Sequence, residues 1–130
     1  MLIRRAMTNG AETVSSRDTL RTAADLMARG GFRRVPVVDD GKLVGIVSDR
    51  DVRAHSGYLD ITRVTAAMTS ELKTVTPEMT VEDAARMMIH HKIGGLPVVE
   101  NGDLIGIITT TDILKGFLNV EAATQALMEE

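Results

Sequence analysis

The sequence predicts a mixed α/β (α+β) fold made of two copies of one β-α-β-β-α unit. Residues 33–51 return 61 residues later, without a gap, as residues 94–112. Each copy holds an Asp-Gly or Asn-Gly pair between two apolar runs, which is a strong hairpin signal. Ahead of each hairpin, apolar residues recur with helical spacing. Units of this size bury little apolar surface alone, so the two copies are expected to pack on each other.

Each unit opens with a lead-in segment and a short strand. The Ala-Met-Thr at residues 6–8 returns at residues 67–69, which indicates that the lead-in belongs to the fold. Extended segments are expected at residues 13–15 and 74–76. The first helix of each copy then carries apolar residues at i, i+3, i+4 and i+7. These are Leu20, Ala23, Ala24 and Met27 in copy one, and Val81, Ala84, Ala85 and Met88 in copy two. We expect Gly30-Gly31 to end the first of these helices and the second to continue through His90-His91-Lys92 to Gly94-Gly95, and Thr80-x-x-Asp83 predicts a cap.

Each hairpin leads into a second helix. The first hairpin combines apolar residues 35–38 and 43–47 with a turn at residues 39–42. Its second strand ends at Ser48, three residues before Asp51, and the copy-two equivalents are Thr109 and Asp112. This pattern is typical of a capping box. The second helices are predicted from residue 49 to about 57 and from 110 to about 119. The units therefore span residues 1–59 and 60–119, joined near residues 56–60, and a tail at 120–130 is predicted to be a final helix or a frayed end.

Composition excludes several classes of function. Without cysteine, the chain has no disulfides, thiolate metal sites or cysteine nucleophile. No run approaches the ~18 apolar residues of a membrane span, so a soluble cytoplasmic protein is expected. The three aromatic residues, Phe32, Tyr58 and Phe117, are too few for a nucleic-acid stacking platform. The net charge of −3 argues against a nucleic-acid partner, although residues 1–61 hold ten basic residues against eight acidic ones.

The repeated Ser/Thr and Asp motif also has a chemical interpretation. A strand that ends at a helix start presents unpartnered N–H groups to an anion. The hydroxyl of Ser48 or Thr109 can donate to a phosphate oxygen, and the carboxylate of Asp51 or Asp112 can accept from a vicinal diol. A phosphate and a diol on one sugar describe a ribonucleotide. The same residues also form an ordinary helix cap without any ligand, so a structural or protein-interaction module with vestigial clefts is the alternative.

The doubled motif, with Pro-Val-Val and an Asp-Gly or Asn-Gly turn ahead of it, resembles a pair of CBS domains, or Bateman module. The resemblance covers nearly the whole chain, and it implies two repeats related by a pseudo-twofold axis, each a small three-stranded sheet packed with helices. It implies a sensor that binds AMP, ADP, ATP or an S-adenosylmethionine-like compound in the cleft between repeats, with no catalytic group, cofactor or metal. By position it implies base-contacting walls of Val14, Ser15, Arg34, Val35 and Pro36 in copy one and Val75, Thr76, Gly95, Leu96 and Pro97 in copy two. Ser48 and Thr109 then face phosphate, and Asp51 and Asp112 face ribose.

The two copies differ where a ligand would lie. Copy one has Arg33-Arg34 where copy two has Gly94-Gly95. An arginine fork can bind phosphate, or it can pair with the acidic turn Asp39-Asp40; both alternatives are open. The glycines leave more room for a base, so unequal affinities are expected.

A ligand sensor needs a receiver of its signal. Modules of the resembled family commonly pair, so a homodimer is expected, with an unidentified effector protein as a further partner. His90-His91 does not indicate a metal site, because adjacent helical residues point about 100° apart. No nucleophile and base pair or phosphate-binding glycine loop is present, so the sequence predicts no enzyme activity.

Overall fold

The computed structural model describes the backbone of residues 1–129 and the side chains of residues 1–119. It has the mixed architecture that the sequence predicts. Its elements, in chain order, are α1 (Ile3–Ala6), β1 (Thr8–Asn9), α2 (Leu20–Gly30), β2 (Arg34–Asp39), β3 (Lys42–Ser48), α3 (Asp49–Ala54), α4 (Val64–Ala67), α5 (Val81–His91), β4 (Gly95–Glu100), β5 (Asp103–Thr109) and α6 (Thr110–Glu129).

The two hairpins form as predicted. Strands β2 and β3 pair antiparallel, β4 and β5 repeat the arrangement, and each pair carries one irregularity at the same place, after Val37 and after Val98. The turn residues Asp40 and Gly41 have φ of 50° and 79°, and Asn101 and Gly102 have 55° and 84°. Two successive positive φ angles are what a two-residue hairpin turn requires, and they explain the Asp-Gly and Asn-Gly pairs.

The strand expected ahead of each first helix is reduced to one residue. Val14 forms a single parallel bridge with Val37, and Val75 forms the equivalent bridge with Val98. The opposite edge of each hairpin pairs with the other copy, because β1 pairs with β5 and Thr69 bridges Ile46. The hairpins meet at Lys42 and Asp103, the only paired residues between β3 and β5 among those described.

The two hydrophobic cores exchange their lead-in segments. The core of copy one contains Val64, from the lead-in of copy two, packed with residues such as Leu20 and Val47. The core of copy two contains Ile3, from the lead-in of copy one. Backbone hydrogen bonds hold the exchange in place, from Val64 N–H to the Asp18 carbonyl at 2.8 Å and from Ile3 N–H to the Met79 carbonyl at 2.8 Å. Each core therefore needs residues from both copies.

The first helix of each copy turns the predicted stripe toward its core, although Ala24, Val81 and Ala85 are half-buried. Leu20, Ala23 and Met27 are buried in α2, and Ala84 and Met88 are buried in α5. Gly31, in the left-handed conformation at φ 70°, ends α2, as expected. Helix α5 begins with the predicted Thr80 and Asp83 capping box but ends at His91, earlier than expected, because Lys92 adopts the left-handed conformation instead of a glycine.

The second helices differ in length from the prediction. Helix α3 ends at Ala54 and is followed by turns that include Gly57 at φ 89°. Helix α6 continues to Glu129, so the predicted tail is helical as far as its backbone is described. Within the described residues, no helix has both the length and the apolar character needed to cross a membrane.

Candidate functional site

Both Ser/Thr and Asp pairs form complete capping boxes. At α3, Ser48 Oγ accepts from Asp51 N–H at 3.2 Å, and Asp51 Oδ2 accepts from Ser48 N–H at 2.8 Å and from Ser48 Oγ at 3.0 Å. At α6, Thr109 and Asp112 repeat these bonds at 3.2, 2.9 and 3.0 Å. The predicted caps are thus confirmed, and each pair satisfies the helix start without a ligand.

The helix starts are less open to an anion than the sequence suggests. The first N–H of α3, from Asp49, donates to the Arg33 carbonyl at 2.9 Å, and that of α6, from Thr110, donates to the Gly94 carbonyl at 3.0 Å. A second N–H of each first turn, that of Asp51 or Asp112, is used by the cap. Helix α3 is also only six residues long. Binding of an anion therefore has to depend on side chains.

A cleft of about 620 Å³ lies beside Ser48, and we name it the Ser48 cleft. Segments of both copies line it. Its lining residues are Arg33, Arg34, Ile46, Ser48, Asp49, Arg50, Asp51 and Arg53 from copy one and Thr69, Glu71, Leu72, Lys73, Lys92, Ile93 and Gly95 from copy two. Asp51 uses only Oδ2 in its cap, and no bond to its Oδ1 occurs within residues 1–119. This oxygen is available to a ligand hydroxyl.

A second cleft, of about 820 Å³, lies beside Thr109, and we name it the Thr109 cleft. It is related to the first by the pseudo-twofold axis. Its lining residues are Thr8, Gly10, Ala11, Glu12, Gly31, Phe32, Arg33, Arg34 and Pro36 from copy one and Gly94, Ile107, Thr109, Thr110 and Thr111 from copy two. Asp112 does not line this cleft, but Thr8 does. The hydroxyl of Thr8 donates to Asp112 Oδ1 at 3.3 Å. Thr8 thus stands between Asp112 and this cleft.

Each cleft is lined by residues of both copies, whereas the predicted walls were grouped within one copy. The exchange of lead-in segments is the physical reason. Burial of Ile3 in the second core carries Thr8 onto β5, beside Thr109. Burial of Val64 in the first core carries Thr69 onto β3, beside Ser48.

The structure places the predicted site residues in three different environments. Arg34, Ser48, Asp51 and Gly95 line the Ser48 cleft, and Arg34, Pro36 and Thr109 line the Thr109 cleft. The valine and leucine side chains do not line either cleft, because they fill the cores as β-sheet residues facing inward: Val14, Val35, Val75 and Leu96. Pro97 is fully buried as well, and Thr76 lies on the surface, where its N–H contacts Met79 Sδ at 3.4 Å.

Ser15 belongs to a small separate cavity next to the first hairpin turn. There Asp39 accepts from the hydroxyls of Ser15 and Ser16 and from the Ser16 N–H, at 3.1, 2.6 and 3.0 Å. The hydroxyl and the backbone N–H of Ser16 are the main causes that hold the pKa of Asp39 below its ordinary range. Ser15 therefore supports the turn.

Arg34 occupies the space that the glycines of copy two leave. A Cβ on Gly94 would lie 3.4 Å from Arg34 Nη1, and one on Gly95 would lie 3.7 Å from Arg34 Cδ. The guanidinium thus lies across the axis and lines both clefts together with Arg33. The alternative, an ion pair with Asp39-Asp40, does not occur within residues 1–119. Contrary to our expectation, Gly94 and Gly95 make room for this side chain.

Sequence reasoning missed several residues that line the clefts. Thr8 and Thr69 lie at equivalent positions, and the Ala-Met-Thr shared by both lead-ins was the signal for them. Lys73 and Lys92 had no such signal, because neither is repeated in copy one. No group of three or more His, Asp or Glu side chains suited to a metal ion occurs among the described residues.

Comparisons with known proteins agree with this geometry. The family model of the CBS domain matches residues 3–57 and again residues 61–119. The chain is 34% identical over 128 residues to the CBS domain-containing protein YhcV of Bacillus subtilis (strain 168), covering 96% of this chain and 91% of that protein. Three further curated relatives are longer, and the chain spans 21%, 46% and 35% of their lengths.

Two similar solved structures contain adenosine compounds. One is CBSX2 in complex with AMP, with a TM-score of 0.85 and 30% identity, covering 92% of this chain and 98% of that one. The other is the CBS domain pair of protein MJ0100 in complex with 5′-methylthioadenosine and S-adenosyl-L-methionine. Its TM-score is 0.83 and its identity 26%, covering 92% of this chain and 97% of that one.

Proposed function

The chain belongs to the CBS domain family as a tandem pair, and from this premise we propose that it is a regulatory module that binds an adenosine-containing ligand in the clefts between its repeats. The single observation that carries the proposal is the pair of clefts that the two repeats build together, each next to a Ser/Thr and Asp capping box. Their volumes, about 620 and 820 Å³, are in the range of small-molecule sites.

Both clefts offer the same adenosine frame, by which we mean apolar side chains for the base and an aspartate oxygen for the ribose. Apolar side chains from both copies can sandwich a base: Ile46, Leu72 and Ile93 in the Ser48 cleft, and Phe32, Pro36 and Ile107 in the Thr109 cleft. The ribose hydroxyls are assigned to Asp51 Oδ1 in the first cleft. In the second, Thr8 donates to Asp112 Oδ1 at 3.3 Å, so a ribose hydroxyl is assigned to this oxygen in place of the Thr8 hydroxyl.

The phosphate part is assigned to cationic side chains. Arg33 and Arg34 line both clefts, and an arginine guanidinium binds phosphate through two parallel hydrogen bonds. No catalytic step is involved. Ligand binding acts as a signal when it favours one of two conformations of the module.

We infer that a second copy of this chain receives the signal, with an effector protein as a further receiver. Five large aliphatic or phenylalanine side chains on helices and in the segment between the copies are 58–78% exposed: Ile61, Ile89, Leu114, Phe117 and Leu118. Leu114, Phe117 and Leu118 recur at i, i+3 and i+4 of α6 and so share one face of that helix, which we assign to the second copy. The alternative function is an interaction module whose clefts stay empty, and the capping boxes, complete without a ligand, favour it.

A thermal-shift titration of the full chain, freed of bound nucleotide, separates the two functions. With AMP, ATP or S-adenosylmethionine at about 100 times its Kd, the free energy of unfolding should rise by roughly 2.7 kcal/mol. Asp51→Asn and Asp112→Asn, made together, should abolish the shift. Light scattering during the titration reports any change in self-association.

Asp83→Asn is the matched control for loss of a cap. Asp83 forms the same box with Thr80, at 3.1 Å in both directions, but lies outside both clefts. It should lower the melting temperature and leave the ligand-induced shift unchanged. If no adenosine compound shifts the melting temperature of the wild-type chain, the interaction module is the correct function.

A further inference from the structure

We propose that the two clefts take ligands of different charge. The Ser48 cleft binds an adenosine polyphosphate, and the Thr109 cleft binds an adenosine compound with one phosphate or none. The proposal rests on the proposed function, because it assumes that both clefts share the adenosine frame. It deepens that function by naming the chemical class of ligand for each cleft.

The side chains of the two linings differ strongly in charge. The Ser48 cleft has six basic residues, Arg33, Arg34, Arg50, Arg53, Lys73 and Lys92, against three acidic ones. The Thr109 cleft has two basic residues, the shared Arg33 and Arg34, against Glu12. The four remaining cations thus belong to the Ser48 cleft alone.

The pseudo-twofold axis makes this a comparison at equivalent positions. Lys73 corresponds to Glu12, Lys92 to Gly31 and Arg50 to Thr111. The backbone frame is the same in both clefts, so the side chains alone reverse or remove the charge. The Thr109 cleft instead carries the hydroxyls of Thr8, Thr109, Thr110 and Thr111, which are neutral hydrogen-bonding groups.

The cations of the Ser48 cleft are available to a ligand. Of the six, only Arg53 forms an ion pair within residues 1–119, with Asp49 at 3.6 Å. The positive charge of Lys73 also contributes, after desolvation, to the lowered pKa of His91. Several unpaired cations around one cleft concentrate positive potential there, and a polyphosphate tail is the ligand part that this potential stabilises most.

The test measures binding of ATP and AMP to single-cleft variants of the full chain by calorimetry, in the absence of divalent cations. Asp112→Asn reports on the Ser48 cleft, where ATP should bind about tenfold or more tightly than AMP and lose affinity steeply with added salt. Asp51→Asn reports on the Thr109 cleft, where AMP should bind as well as ATP or better. The same ATP to AMP ratio in both variants would overturn the proposal.

A charge reversal identifies the cause of the preference. Lys73→Glu introduces the residue that copy one has at the equivalent position, and it should remove most of the ATP preference of the Asp112→Asn chain. Lys115→Glu is the control, because it makes the same change of charge on α6 outside both clefts. If both substitutions weaken ATP binding equally, overall charge is the cause and the assignment to the Ser48 cleft is wrong.

Inorganic tripolyphosphate separates failure of this proposal from failure of the proposed function. If no adenosine compound binds, the adenosine sensor is excluded, and tripolyphosphate still tests the charge of the cleft. It should raise the melting temperature of the wild-type chain more than that of Lys73→Glu. Equal shifts in the two proteins would show that the Ser48 cleft has no preference for polyphosphate.

Discussion

Residues near the pseudo-twofold axis meet their own equivalents, and the two copies have diverged there in a complementary way. Lys42 and Asp103 are equivalent positions, and they form an ion pair at 2.7 Å where the hairpins touch. Arg34 is equivalent to Gly95, and its side chain lies against that glycine. Two lysines would repel, and two arginines would compete for one space. Such pairs fix how the copies face each other, although an exposed ion pair adds little stability.

The carboxylate of Asp39 makes the stability of the protein depend on pH in the acid range. Its pKa is below the ordinary value of 3.8, because Ser16 and then Ser15 donate hydrogen bonds to its charged form. The stability that it contributes is fully present above that ordinary value and is lost as pH falls through the lower pKa of the folded state. We therefore expect Asp39→Asn to destabilise the chain at pH 7 and to flatten the loss of stability below about pH 4. Urea unfolding at several pH values measures both, and an unchanged pH profile would contradict the role of Asp39.

Local residue patterns could be predicted from the sequence, whereas long-range partners could not. Ser48 and Asp51 are three residues apart, so the spacing alone predicts their mutual hydrogen bonds, and these are present. Thr8 and Asp112 are 104 residues apart, and no local pattern indicates that they touch. Val35 and Leu96 are core residues because their side chains point to the buried face of the sheet. The family resemblance placed them in the walls of a ligand site instead.

At the scale of elements, the lead-in segments decide where the clefts are. Strand β1 pairs antiparallel with β5 at Ile107 and Gly106, and Thr69 bridges Ile46 of β3, next to Gly45, the equivalent of Gly106. A Cβ on Gly106 would lie 2.5 Å from the Thr8 carbonyl oxygen, and one on Gly45 would lie 3.1 Å from that of Thr69. The glycine in each second strand is therefore needed for the close approach of another backbone.

Gly106→Ala should destabilise the chain by about 1–3 kcal/mol, because the added methyl group displaces β1 from β5. Gly116→Ala, in the middle of α6, is the contrasting control. Among the described residues its Cβ would meet only the end of the Met1 side chain, Sδ at 3.6 Å and Cε at 3.8 Å, and the substitution should stabilise the helix by about 0.5–1 kcal/mol. Chemical denaturation measures both variants. A Gly106→Ala protein as stable as the wild type would show that β1 does not pack as described.

At the scale of the whole molecule, neither half is a complete folding unit. Ile3 is fully buried in the second core and Val64 is fully buried in the first, although each comes from the other copy. Backbone hydrogen bonds also tie each exchanged lead-in to the first helix of the other copy. Leu20 N–H of α2 donates to the Thr62 carbonyl at 2.9 Å, and Val81 N–H of α5 donates to the Met1 carbonyl at 2.9 Å. Unfolding of one core therefore removes a part of the other.

Ile3→Ala should cost about 2–5 kcal/mol and lower the stability of both copies together. Hydrogen exchange should show loss of amide protection in β2 and β3 of copy one as well as in β4 and β5 of copy two. Leu2→Ala, at a neighbouring side chain that is 39% exposed, should have a much smaller effect. Loss of protection confined to copy two would show that the two halves unfold independently.

The exchanged lead-ins also set an order for folding during synthesis on the ribosome. The core of copy one can close soon after Val64 has emerged, since its other buried members come earlier in the chain. Ile3 is translated before all the other buried members of its core, which extend from Val75 to Ile108. The lead-in of copy one is thus made well before its place in the second core exists, and a bulky group attached beside Ile3 would burden the final step of assembly.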